Sequence, residues 1–170
     1  ADEQLRKACD ASLYTFGLTC FPEVFSLEPS PDHKRLADEI QKAMEAGTKR
    51  AIAVQRGFGK TTWCDTAIQW CALTGRVEMI MLVCGNQGEA DGLRDGLITS
   101  FENNDHLYAL YPEITHFFRE TASHGPQLKA TFQGELLGIK RRKDIIFPNV
   151  PFIGSQCCIR VRGIDSHGVR

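Results

Sequence analysis

The stretch Gln55-Arg56-Gly57-Phe58-Gly59-Lys60-Thr61-Thr62 constrains this chain most. It follows a short apolar run, Ala51-Ile52-Ala53-Val54, that the pattern predicts as a buried strand, and it precedes Thr61 to Leu73, predicted as a helix. Strand, glycine turn, Lys-Thr and helix together form a phosphate cradle. In such a cradle the turn aims successive backbone N–H groups at one point, and the helix adds the positive end of its dipole there. Gly57 and Gly59 allow the backbone to visit φ > 0 without a Cβ clash. The expected contacts are Gln55 through Thr62 on the phosphates of ATP. Lys60 would reach the β- and γ-phosphates, and the Thr61 hydroxyl would ligate the accompanying Mg²⁺. The usual pattern has a glycine four residues before this Gly-Lys, where Val54 stands, so the match is a variant. The bland alternative is a glycine turn that happens to contain a lysine.

Arg56 has two readings: a solvated loop residue or a partner of a nearby carboxylate, or a guanidinium that reaches the γ-phosphate and stabilises the transition state. The second makes Arg56 catalytic together with Lys60.

A chain of 170 residues is long enough to bury a sizeable core as one domain. That domain is expected to divide into an N-terminal helix with an aromatic connector, 1–31, and a nucleotide-binding core, 32–170. The formal net charge is −1, which excludes bulk charge as a source of nucleic-acid affinity and leaves only local patches. The one dense basic run is Lys140-Arg141-Arg142-Lys143, either a solvated face or a sequence-independent contact with the backbone of double-stranded DNA. Arg94 is a weaker candidate of the same kind. Seven cysteines, an odd number without a C-x-x-C pair, sit mostly among apolar residues, as reduced core thiols in a cytosolic protein do. The sequence carries no signal peptide or membrane-spanning run, so a secreted or membrane-bound protein is not expected.

In order along the chain, residues Asp2 to Phe16 are predicted as one helix. Phe16, Phe21 and Phe25 surround Pro22 in a connector, as core plugs beneath the sheet or, for one of them, as a ring that stacks on a base. Glu28-Pro29-Ser30-Pro31 is a break, after which Ser30 or Asp32 caps a helix over His33 to Ala46. Val77 to Val83 is predicted as a second buried strand, and Gln87 to Phe101 as a helix whose regularity Gly88, Gly92 and Gly96 weaken. Helical pieces follow at His106 to Tyr111 and Pro112 to Phe118. Thr131 to Arg142 is ambiguous, with helix around Leu136-Leu137. Ile145 to Phe147, Phe152-Ile153 and Cys157 to Val161 are predicted as short strands, the last two as a hairpin. The alternation implies an α/β fold, a three-layer sandwich with a mainly parallel sheet.

The chain resembles the N-terminal ATPase region of the large terminase subunit of tailed bacteriophages. The resemblance is carried by several stretches in order. These are the loop Arg56 to Thr62 with its early arginine, Pro31-Asp32-His33 opening a helix upstream, and Asn86-Gln87-Gly88-Glu89-Ala90 after the second strand. Phe101-Glu102-Asn103-Asn104, Tyr111-Pro112-Glu113 and the Gly/Arg-rich turn Gly163 to Arg170 complete the set. The resemblance implies a P-loop ATPase fold and an ATP-driven motor that moves double-stranded DNA into a capsid. It also implies a portal protein and a small terminase subunit as partners, and a ring of copies in the working motor. The site of action would be the host cytoplasm, transiently on the viral procapsid. His33 and Lys34 stand where related motors carry a base-recognition element; the alternative for His33 is a cap or a packed ring.

One departure is large. Such an ATPase needs an apolar strand ending in Asp-Glu, one for Mg²⁺ and one for the attacking water. The apolar runs here end in Cys84-Gly85, Pro148 and Arg162. The expectation is therefore a piece that stops before its acidic strand, able to bind nucleotide without turning it over at a motor's rate. A P-loop kinase, or a helicase-like nucleotide-dependent remodeller, is the alternative class.

Overall fold

The computed structural model describes residues 2–124, 131–132, 135–136, 144–146 and 157–164. It is a mixed α/β chain whose contacts divide into Ala1–Cys71 and Ala72–Arg170, the division falling inside a helix.

The first unit is helical. The single helix expected over Asp2 to Phe16 is two, α1 (Glu3–Ala11) and α2 (Leu13–Cys20). Ser12 between them is extended, at φ −139° and ψ 117°, and its hydroxyl caps α2 by accepting Thr15 N–H at 3.2 Å. The amide of Gln41 holds the break from outside: its Oε1 accepts Leu13 N–H at 2.8 Å and its Nε2 donates to Ala11 C=O at 3.0 Å. A residue 28 positions away thus satisfies helix-end groups that a continuous helix would have paired internally. Gln41 belongs to α3 (Pro31–Ala46), which starts with Pro at N1 after the N-cap Ser30 and ends at Gly47, φ 60°.

Helix α4 (Lys60–Thr74) is buried on nearly every side from Thr66 to Leu73, as its apolar sequence predicts. Its indole Trp70 Nε1 donates to Cys9 C=O at 2.9 Å, tying α4 to α1. Trp63, 1% exposed, stacks on Tyr14 at 5.8 Å and meets Phe25 at 4.4 Å with the rings tilted by 32°. Phe16 meets Phe21 edge-on at 5.9 Å. Phe16 is buried and Phe21 and Phe25 are half-buried, so within this unit the aromatics pack into its helical core.

The second unit holds the sheets. Strand β1 (Met79–Cys84) pairs in parallel with β5 (Cys158–Gly163), Met79 opposite Cys158 and Cys84 opposite Gly163. On the other edge of β5, β4 (Asp144–Ile146) pairs antiparallel, giving the order β1-β5-β4. Helix α5 (Gln87–Asn103) packs on β1 and β5. Its three glycines do not interrupt it. Its start is held by reciprocal caps: Asn86 Oδ1 accepts Glu89 N–H at 2.9 Å, and Glu89 Oε2 accepts Gly85 N–H at 3.2 Å. Helices α6 (Asp105–Leu110) and α7 (Pro112–His124) follow, with Phe118 of α7 stacked on Phe101 of α5 at 5.0 Å.

Several expectations are corrected here. Strand β1 is not buried: Met79, Met81 and Val83 alternate along it at 53–54% exposed, and its inward face alone is half-covered. Leu136 lies in a strand, not a helix, because β3 (Glu135–Leu136) pairs antiparallel with β2 (Thr131–Phe132). Strand β5 takes β1 and β4 as its described partners; the Phe152-Ile153 strand lies outside the described residues. Ala51 to Val54 forms no strand and belongs to neither sheet among the described residues. Its residues alternate between exposed and half-buried, and without a ladder β-branched residues gain little from pairing geometry.

Among the described residues no helix is long and apolar enough to cross a membrane. None of the seven cysteines, all of them among the described residues, forms a disulfide; Cys9, Cys20, Cys71 and Cys157 are buried.

Candidate functional site: the loop before α4

The sequence before α4 turns tightly. Phe58 N–H donates to Gln55 C=O at 3.4 Å, and Trp63 N–H donates to Gly59 C=O at 3.0 Å, the first bond of α4. Gly57 stands at φ 84° and Gly59 at φ 78°, left-handed values that residues with a Cβ rarely hold. A Cβ at either position would meet nothing within 4 Å, so backbone conformation alone demands glycine there. Helix α4 begins at Lys60, and the N–H groups of its first turn have no acceptor inside the helix. They carry the positive end of the helix dipole.

Val54 through Thr62 line an open cavity of about 530 Å³. Gln55, Arg56, Lys60 and Thr61 are exposed, and Phe58 and Thr62 are half-buried. Neither Arg56 nor Lys60 forms an ion pair among the described residues, so the carboxylate-bound alternative for Arg56 does not hold there. The loop thus offers two cations, two threonine hydroxyls and a helix start around one space, a donor set suited to a polyanion.

Thr61 lines the cavity with its hydroxyl, and no cluster of three His, Cys, Asp or Glu side chains among the described residues could hold a metal ion by itself.

A second cavity, about 660 Å³, runs along α3 and is lined by Asp32, Arg35, Leu36, Glu39, Arg50 and Phe58 among others. The hydrogen bond from Lys42 holds the Glu39 carboxyl below its ordinary range.

His33 lies beside the loop. Its Nδ1 accepts the Ser30 N–H at 3.1 Å and sits 2.9 Å from Ser30 Oγ, so it caps α3. Its ring stacks on Phe58 with centroids 4.4 Å apart and planes 11° apart. Lys34 pairs with Asp38 at 3.4 Å, an exposed i,i+4 contact. Arg94 pairs with Asp91 at 3.1 Å and with Asp95 at 2.9 Å, both contacts within α5. Lys140 to Lys143 lie outside the described residues.

The structure therefore brings His33 together with 55–62 through Phe58, a pairing the sequence order hides. Sequence reasoning also passed over Asp65, whose carboxyl is pushed above its ordinary range by burial on the second turn of α4. A charged residue inside an otherwise apolar helical run was the available signal.

Compared with protein-family models, curated proteins and solved structures, the chain matches none.

Proposed function

We propose that residues 55–62 bind the phosphates of ATP with Mg²⁺, and that the chain is the ATP-binding part of a DNA-packaging motor of the terminase type. The observation that carries the phosphate reading is the pair of left-handed glycines around Phe58, directly ahead of a helix opened by Lys60 over an open cavity. The motor reading adds the ordered resemblance from Pro31 to Arg170. On it, Lys60 and Arg56 act on the β- and γ-phosphates, Thr61 ligates Mg²⁺, and the three-layer P-loop sandwich is the full architecture. Double-stranded DNA, a portal protein, a small subunit and a ring of copies belong to the same proposal. Lys140 to Lys143 would then contact the DNA backbone, and replacing all four with Ala would flatten the salt dependence of DNA binding.

Titration calorimetry with MgADP tests the first step. Lys60→Ala removes a charge-assisted contact and should weaken affinity about 10- to 150-fold. Unchanged affinity would discard the phosphate cradle. For the motor, ATP hydrolysis should rise with added double-stranded DNA. Transfer of phosphate to a small-molecule acceptor would instead identify a kinase.

A further inference from the structure

Phe58 sits between two glycines at φ 84° and 78°. Glycine lowers the barriers that hold a backbone in one shape, so a loop built this way converges its N–H groups only when something else orders it. The structure supplies that constraint from α3. The His33 imidazole lies flat on the Phe58 ring, centroids 4.4 Å apart and planes within 11° of parallel. His33 is itself held, since Nδ1 accepts the Ser30 N–H at 3.1 Å and lies 2.9 Å from Ser30 Oγ. An acceptor at Nδ1 leaves the ring proton on Nε2. Ser30 is the N-cap of a helix 16 residues long, anchored by buried Leu36, Ala37 and Ile40. Contact therefore runs from a rigid helix through Ser30 and His33 to the middle of the glycine turn. Phe58 also lines both the 530 Å³ cavity of the loop and the 660 Å³ cavity along α3, so its position shapes the wall between them.

We propose that His33 is a positioning residue of the phosphate site: through Phe58 it holds the Gly57–Gly59 turn in its phosphate-accepting shape without touching the ligand. This rests on the reading of 55–62 as a phosphate loop. Releasing the turn returns the ordering cost to the binding step, and affinity falls by the fraction of time the turn is formed. A stacked aromatic pair corresponds to about 2- to 12-fold in that equilibrium.

Three substitutions separate the latch from the cap. His33→Gln keeps an acceptor three residues after Ser30, which a capping box accommodates, and removes the ring. Phe58→Leu removes the other ring, and Phe58→Tyr keeps it. Calorimetry with Mg²⁺-pyrophosphate, in parallel with MgADP, reads phosphate binding with and without a base. His33→Gln and Phe58→Leu should each weaken both ligands about 2- to 12-fold and by the same factor. The double variant should be no worse than the weaker single, and Phe58→Tyr should match the wild type. Unchanged pyrophosphate affinity in the single variants overturns the proposal, as does a loss confined to MgADP, which would place His33 on the base. Amide hydrogen exchange without ligand is independent of the binding assay: residues 56–60 should exchange faster in both single variants while α3 keeps its protection. Unaltered loop exchange overturns the latch. Failure of the wild type to bind pyrophosphate, or binding indifferent to Lys60→Ala, refutes the phosphate-loop reading instead, and exchange still decides the latch.

Discussion

Gly17→Ala tests how tightly the helix carrying the loop is seated. Gly17 lies inside α2 with ordinary helical backbone, so alanine would normally help there, by up to about 1 kcal/mol of helix propensity. Packing opposes it. A Cβ on Gly17 would stand 2.8 Å from Cζ3 and 3.1 Å from Cη2 of Trp63, and 3.3 Å from Cε2 of Phe25. Ordinary contact begins at 3.4 Å, so the indole must retreat by about 0.6 Å. It has little room: Trp63 is 1% exposed and lies against Tyr14 and Phe25. Overpacking of this kind costs about 1–3 kcal/mol, which outweighs the propensity gain and leaves a net loss of up to about 2 kcal/mol. Urea unfolding followed by tryptophan fluorescence reads it, because both tryptophans are buried. The cost should shrink when Trp63→Leu is made first, since the smaller side chain frees the space. A Gly17→Ala protein more stable than wild type, or a cost unchanged by Trp63→Leu, would refute the close approach.

Gln41→Leu should destabilise by about 1–2 kcal/mol in the same assay, because it strips the acceptor from Leu13 N–H and the donor from Ala11 C=O at the α1–α2 break. A neutral result would mean that water serves the break as well as the amide does. Asp65→Asn should raise the unfolding midpoint at pH 7. Burial raises the folded-state pKa of Asp65, so its contribution is fully favourable below the unfolded value of 3.8 and is lost as pH rises through the folded value. The gain should vanish near pH 3.5, and a gain that is flat across pH would contradict the assignment. On the proposed motor reading, a form of the protein that hydrolyses ATP should lose that rate by orders of magnitude on Arg56→Ala while ADP affinity changes little. Equal losses in both would make Arg56 a general phosphate clamp.

The local elements were legible because their signals are local. Pro31 after Ser30 and Gly47 sixteen residues later bound α3, and the all-round apolar run from Trp63 to Leu73 makes a buried helix wherever it packs. The glycines of the loop were legible for the same reason, since positive φ is a property of the residue itself. What the order of residues did not contain was who pairs with whom. The break at Ser12 depends on the Gln41 amide reaching helix ends from another helix. Ala51 to Val54 has strand composition, yet a strand exists only when a second backbone offers its N–H and C=O groups. Strand β1 looked uniformly apolar, but burial is decided by what covers each face, and Met79, Met81 and Val83 remain exposed. His33 on Phe58 is the same kind of fact at the site: 25 residues apart in the chain, the two rings meet because α3 and the loop fold together, and only three-dimensional packing brings them to 4.4 Å.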